Sequence, residues 1–227
     1  MMKNNTFNCK LLGFLVLPVF FVLSCATKTS AIKPAVNVNT AVSVLPVNTI
    51  IPPEKPEAGL IPEHIMGQGV IGAGIMAEFL LVINPNAERD FVSSLAEHYA
   101  NEAAIEGINH DVAFSQMCLE TGFLKYGGLV TLDMNNFCGL GAIGPKQPGL
   151  SFPDASTGVR AHIQHLKAYA SEEPLKQELV DPRYRYVRLG SSPMIKGLAG
   201  TWAADPEYAA KIRGILKRLY TFYSENL

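Results

Sequence analysis

One carboxylate in this chain stands where a proton donor would be wanted. It is Glu120, in the stretch Gln116-Met117-Cys118-Leu119-Glu120-Thr121-Gly122-Phe123. Val112, Ala113, Phe114, Met117, Cys118 and Leu119 make the preceding segment apolar on nearly every side. A helix of that kind belongs in a core. Glu120 falls in its last turn, and Gly122 suits a left-handed terminator. Burial and the negative end of the helix dipole both raise a carboxyl pKa. A raised pKa is what a general acid needs near neutral pH. The plainer reading is an exposed Glu at a frayed helix end.

The other groups with chemical potential are scattered further along. Asn135, Asn136 and Phe137 sit in a loop, and paired amides can hold acetamido groups and hydroxyls or simply form turns. His162 and His165 lie on a helix and read as partly buried polar residues rather than ligands. Arg183, Tyr184, Arg185, Tyr186 and Arg188 form an aromatic and basic run. It suits a sugar or anion site, or equally packing with extended Arg stems. Trp202, the single Trp, offers either core packing or a stacking face for a sugar ring.

Helices must position these groups. The spacing predicts helices over about 75–83, 87–106, a segment capped by Asn109 or Asp111 and ending at Glu120, 156–170 capped by Ser156 or Thr157, 173–179, and 205–223. In the last of these, Asp205-Pro206-Glu207 gives a cap, a first-turn Pro and an early acid. Residues 127–149 are rich in Gly and Pro, which predicts turns and one short β-hairpin. A loop this long between packed helices points to function. Gly67-Gln68-Gly69-Val70-Ile71-Gly72 matches a dinucleotide-binding pattern, but no buried strand precedes it and no βα alternation follows.

Composition narrows the classes further. The chain has 227 residues, a net charge of −1 and no basic stripe, so nucleic acid is not expected as a partner. Lys3 and Lys10 flank the start of an apolar run, Leu11 to Leu23, too short for a span of about 20 residues but suited to a secretory signal. The run ends at Ser24-Cys25, which resembles a bacterial lipobox. That resemblance implies a cleaved signal over 1–24, lipid on Cys25, and a periplasm-facing, membrane-anchored envelope protein. Residues 25–63, with six prolines from Pro34 to Pro62, read as a tether, and 64–227 as the domain. Cys118 and Cys138 remain; a disulfide and two buried thiols are both open. No zinc-type spacing of Cys and His occurs, so neither a metal nor a cofactor is expected.

Three segments carry a family resemblance: Gln116-x-x-x-Glu120-Thr121-Gly122-Phe123, Asn135-Asn136-Phe137-x-Gly139, and Gly200-Thr201-Trp202-Ala203-Ala204-Asp205-Pro206-x-Tyr208-Ala209-x-Lys211-Ile212. In this order they resemble the β-N-acetylglucosaminidase domain of glycoside hydrolase family 73. The resemblance covers about 88–223. It implies a mainly α, lysozyme-like domain with a small β-lobe over a glycan cleft. It implies hydrolysis of the β-1,4 bond after N-acetylglucosamine in peptidoglycan strands, with Glu120 as general acid; a monomer is expected. Gln116, Phe123, Asn135, Asn136, Phe137, Trp202 and Tyr208 become the substrate-binding candidates. The family often has Tyr at the place of Trp202, which can stack but has no phenolic hydroxyl. Its relatives carry a second carboxylate in the hairpin, yet Cys138 to Phe152 contains no acid; Asp154 is the nearest downstream candidate, with Asp133 before the Asn pair. Two carboxylates about 5–5.5 Å apart imply retention, and about 6.5–9.5 Å inversion. The substrate's own N-acetyl group is the alternative. A lytic transglycosylase or muramidase, and a non-catalytic glycan-binding protein, are the competing readings.

Overall fold

The computed structural model describes residues 61–227. The signal segment, Cys25 and the tether up to residue 60 lie outside the described residues. Five α-helices follow in order: α1 Ala73–Ile83, α2 Arg89–Glu106, α3 His110–Glu120, α4 Ala155–Ala170 and α5 Tyr208–Glu225. Short 3-10 turns cover Leu132–Met134, Tyr184–Tyr186 and Ile195–Leu198. The domain is mainly helical and lysozyme-like. Among the described residues the only β pairings are isolated bridges. The expected hairpin is an irregular loop. A Gly144–Gln147 bridge closes its tip, and the Leu150 amide donates to the Leu140 carbonyl at 2.9 Å below it.

The core explains the all-round apolar character of α3. Asp111 to Cys118 are buried without a break, because α2, α4 and α5 all pack against this helix. Asn109 caps it, accepting from the amides of Asp111 and Val112 at 3.0 and 3.3 Å. Asp111 has another task. Its carboxylate accepts from the amides of Val70 and Ile71 and from the Tyr220 hydroxyl, pinning the entering chain to α3 and α5. The glycine-rich 67–72 stretch is part of that entry. A Cβ on Gly69 would lie 2.6 Å from the His110 ring, so close packing explains the glycine there. The entry begins before residue 64. Glu63, expected in the tether, forms a two-pronged ion pair with Arg213 of α5 at 2.7 and 2.6 Å.

Three expected helix starts or spans shift. Asp154, not Ser156 or Thr157, caps α4, accepting from the Thr157 amide at 2.7 Å. Asp205 accepts from the Glu207 amide and pairs with Lys211, but forms a preceding turn, so α5 begins at Tyr208. Residues 173–179 form no helix. Their backbone is satisfied by side chains instead: the amides of Lys176 and Gln177 donate to Glu106, and the Glu178 carbonyl accepts from Gln164. This strap is fastened by a fully buried ion pair between Lys167 of α4 and Glu106 of α2 at 2.8 Å.

The loop that follows the 3-10 turn docks on α4 through an absent side chain. A Cβ on Gly158 would sit 1.8 Å from the Asn135 carbonyl oxygen. Backbone cannot yield cheaply at such a distance. Gly158→Ala is therefore expected to lower stability by about 1–3 kcal/mol, the usual range for overpacking. Denaturant unfolding checks this; an unchanged midpoint would mean that the loop is free to lift from α4.

Candidate active site

Glu120 is the last residue of α3, and the chain turns sharply after it. Gly122, Phe123 and Leu124 all adopt left-handed backbone, with φ of 58°, 59° and 61°. Two consecutive non-glycine residues there are costly and need external support. Thr121 supplies it. Its hydroxyl donates to the Met117 carbonyl at 2.8 Å and accepts from the Leu124 amide at 2.9 Å. Asn84 of the α1–α2 turn donates to the Phe123 carbonyl at 2.9 Å. Thus the Thr-Gly-Phe that follows Glu120 serves to end α3 abruptly and leave the carboxyl facing open space. Phe123 itself packs on Phe79, with ring centroids 6.1 Å apart, under the Arg218 guanidinium. It lines neither cavity beside Glu120.

Two cavities meet at Glu120, Gly139 and Ala142. One, of about 220 Å³, runs past Thr121, Tyr126, Leu129 and Val130. The other, of about 480 Å³, runs past Trp202, Tyr169, His165 and Arg183. Among the described residues Glu120 is the one carboxylate lining either of them. Together they form a cleft with an acid at its middle.

The surroundings of that acid oppose one another. The side chain is solvent-exposed along the cleft, yet protein surrounds its carboxyl on the inner side, and burial raises its pKa. Hydrogen bonds from Tyr208 and Trp202 lower it, and the net direction is upward. Both donors reach the same oxygen: the Tyr208 hydroxyl and, at 3.0 Å, the Trp202 indole N–H donate to Oε1. Oε2 accepts from neither and faces Gly139, lying 3.9 Å from where a Cβ there would be. The cleft-facing oxygen is therefore the one without a side-chain donor from the protein.

Behind Tyr208 runs a buried chain of hydrogen bonds. Gln116 donates to the Tyr208 hydroxyl oxygen at 2.9 Å. Its carbonyl lies 3.1 Å from His162 Nε2, which must then be the donor. The other imidazole nitrogen, Nδ1, accepts from the Tyr99 hydroxyl at 2.8 Å. Burial, with His165 nearby, pushes the His162 pKa down to about 3, so the ring is neutral and keeps one proton to donate. Every link has a fixed direction, and the last one aims the Tyr208 proton at Glu120. Gln116 is fully buried, so it orients rather than touching a ligand in the cleft. Its place one helical turn before Glu120 was visible in the sequence; the role of His162 was not, because nothing in the sequence places α4 beside α3.

Tyr208→Phe removes one of the two bonds that lower the Glu120 pKa. The pKa is then expected to rise further, and the alkaline limb of the kcat profile to move to higher pH. The lost hydrogen bond to a charged group implies about a 10- to 100-fold drop in kcat. A pH–rate profile checks the sign: an acidic shift would contradict the arrangement.

The remaining predicted residues divide. Trp202 lies in the cleft, packed on His162, His165 and Tyr169 with ring centroids 5.7, 5.0 and 5.4 Å away. Its missing hydroxyl leaves no gap in the polar contacts, since Glu120 has a phenolic donor in Tyr208. Asp154 is exposed, bound to the α4 N-terminus, and lines neither cavity; its pKa is lowered, chiefly by the Thr157 amide. The structure gives it a capping task at the start of α4. Asn135 donates to the Phe152 carbonyl, and Asn136 donates to the carbonyls of Leu140 and Leu150. Their amides shape the loop, although Asn136 also edges the smaller cavity. Phe137 is fully buried and anchors that loop in the core. Cys118 and Cys138 are buried free thiols. Among the described residues no cluster of His, Cys, Asp and Glu is gathered to hold a metal ion.

A carboxyl whose pKa is raised by burial, at the junction of two cavities on a lysozyme-like helical frame, fits a glycoside-cleaving class of protein. The sequence comparisons place the chain within that class. It belongs to the glucosaminidase family, whose model, described as mannosyl-glycoprotein endo-beta-N-acetylglucosaminidase, matches residues 96–221. Membership makes glycan hydrolysis its general activity. A protein of Borreliella burgdorferi described as uncharacterized is 39% identical over 183 residues, covering 81% of this chain and 87% of its own length. No solved structure matches.

Proposed function

We propose that the protein hydrolyses the β-1,4 bond following N-acetylglucosamine in bacterial peptidoglycan, with Glu120 as the general acid. The observation that supports this reading is the lone, raised-pKa carboxyl at the meeting point of the two cavities. Glu120 Oε2 delivers its proton to the glycosidic oxygen as the bond breaks. The carboxylate left behind keeps two donors on Oε1, from Tyr208 and Trp202, which stabilise its charge. With Asp154 capping α4, the substrate's own acetamido carbonyl is the group that attacks the anomeric carbon. Water then opens the resulting ring.

The same lone acid favours a second reading, a lytic transglycosylase or muramidase, since such enzymes work with a single Glu. Mass spectrometry of peptidoglycan digested by the chain Ala26–Leu227, beside its Glu120→Gln variant, separates the two. Reducing-end N-acetylglucosamine from the parent alone supports the first reading. Anhydro-muramic ends, from a transglycosylase, or reducing-end muramic acid, from a muramidase, support the second. Glycan binding with no products from either protein would leave a binding protein.

The envelope is the proposed location, through lipid on Cys25. Cys25→Ser is expected to abolish incorporation of labelled fatty acid and release the chain from membranes. Retention of the label in that variant would overturn the anchor.

A further inference from the structure

We propose that Arg183 makes the larger cavity an anion subsite, which holds a carboxylate carried by the acidic sugar beside the scissile bond or by the peptide attached to it. The proposal rests on the glycan reading above and adds which feature of the glycan is recognised. Arg183 is half-buried in the wall of the cavity that contains Glu120 and Trp202. Arg89, Arg160 and Arg213 pair with Glu78, Glu102 and Glu63, whereas among the described residues Arg183, Arg185, Arg188 and Arg218 have no such pair; of these four only Arg183 lines the cavity of Glu120. Among the described residues, no carboxylate lies within ion-pair distance of the Arg183 guanidinium. A partly desolvated cation without an anion is unfavourable, and one lining a ligand cleft is best satisfied by the ligand.

The local structure holds this cation in place. Arg183 precedes the 3-10 turn Tyr184–Tyr186, and its guanidinium lies 5.1 Å from the Tyr186 ring centroid. Arg185 lies over the same ring at 4.9 Å, and a guanidinium held against an aromatic face keeps N–H donors for a carboxylate. Its backbone amide donates to Asp181 Oδ1 at 2.8 Å. The second oxygen of Asp181 faces His165 Nδ1 at 2.7 Å, so both oxygens of this buried acid are engaged. Among the described residues the ionisable side chains beside Arg183 in the cavity wall are Glu120, His165 and Tyr169, with Cys138 beneath and the buried Asp181 behind His165. Burial raises the Glu120 pKa, so negative charge on that side of the wall is disfavoured. The wall therefore favours a negative ligand.

An oligomer of N-acetylglucosamine is neutral. Peptidoglycan carries carboxylates in two places: the lactyl ether of its acidic sugar, free once the peptide is removed, and the stem peptide itself. Both present the same chemistry to Arg183, and different ligands tell them apart.

The test uses the full chain carrying Glu120→Gln, to prevent turnover, with and without Arg183→Gln. Trp202, the sole Trp, reports binding in the cleft by its fluorescence. Three ligands are titrated: a neutral N-acetylglucosamine oligomer, glycan strands stripped of peptide, and strands retaining it. Arg183→Gln is expected to weaken binding of an acidic ligand about tenfold, in line with loss of a charge-assisted bond, and the neutral oligomer less than twofold. The difference should shrink at high salt. Loss with the stripped strands assigns the lactyl carboxylate; loss confined to the peptide-bearing strands assigns the stem. Equal weakening of all three ligands, no weakening of either acidic one, or no binding of any by the Glu120→Gln chain overturns the subsite. Turnover by the parent is measured separately. A parent that selects acidic glycan through Arg183 but releases no products sinks the hydrolase reading and leaves the subsite standing.

Discussion

Replacing Glu120 by Gln is expected to reduce glycan hydrolysis by about a thousandfold or more while leaving the folded domain at least as stable. The loss follows from chemistry: an amide cannot protonate a leaving oxygen, and a placed general acid contributes about 10²–10⁴ in rate. The retained fold follows from geometry. Gln keeps an oxygen to accept from Tyr208 and Trp202, and puts its amide nitrogen where Oε2 faced Gly139. The direction of the stability change follows from linkage. The folded pKa of Glu120 lies above its ordinary value of 4.5, so the folded state binds the proton more tightly than the unfolded chain. Stability from this group is present at pH below 4.5 and is lost as pH rises through the raised folded value. At neutral pH an ionised Glu120 is a burden that Gln lacks. Thermal midpoints measured from pH 4 to 8 should therefore converge at the acid end, and the variant should equal or exceed the parent at the alkaline end. Near-parental turnover by the variant would remove Glu120 from the acid role. A markedly lower midpoint at neutral pH would mean that the charge holds the fold together.

How far the sequence carried this picture depended on whether the physics was local. The acid was legible because its signals lie within one turn: an all-apolar helix, a terminal Glu, and a Gly to end it. The helices α2, α4 and α5 were legible through their apolar stripes, with starts displaced where Asp154 took on the capping of α4 and Asp205 closed a turn ahead of α5. The strap at 173–179 was not. Its helix-forming residues are overridden by Glu106, some seventy positions earlier, which binds its backbone amides. Asn135, Asn136 and Phe137 looked like ligand contacts because amides and aromatics suit sugars. Sequence cannot tell an amide aimed at a ligand from one aimed at the Leu140 and Leu150 carbonyls. The relay behind Tyr208 joins α2, α3, α4 and α5, so no local pattern could announce it. Similarly, Arg183 was visible as one of several arginines, and only the fold brings it into the same cavity as Glu120.

The pair beneath the strap should show the largest effect on stability. Lys167→Met is expected to destabilise the domain by about 3–5 kcal/mol, since it leaves the Glu106 charge buried without its cation. The Lys167 ammonium and the Glu106 carboxylate are both wholly inaccessible. The ammonium also donates to the Pro174 carbonyl at 3.0 Å, while Glu106 accepts from the amides of Lys176 and Gln177. These bonds fasten the strap that leads to Asp181 and Arg183, so the defect should reach the larger cavity before the rest of the domain. Hydrogen exchange would register it as lost protection at residues 176 and 177 under conditions where α3 remains protected. The double variant Glu106→Gln with Lys167→Met removes both charges, and should cost less than the sum of the two single changes. A purely additive result would show that the partners do not sense one another. A small loss for Lys167→Met alone would mean that water reaches Glu106 once the ammonium is gone. In either case the strap would owe its position to the Gln164 bonds at Glu178, Val180 and Asp181, which tie it to α4 independently of the charged pair.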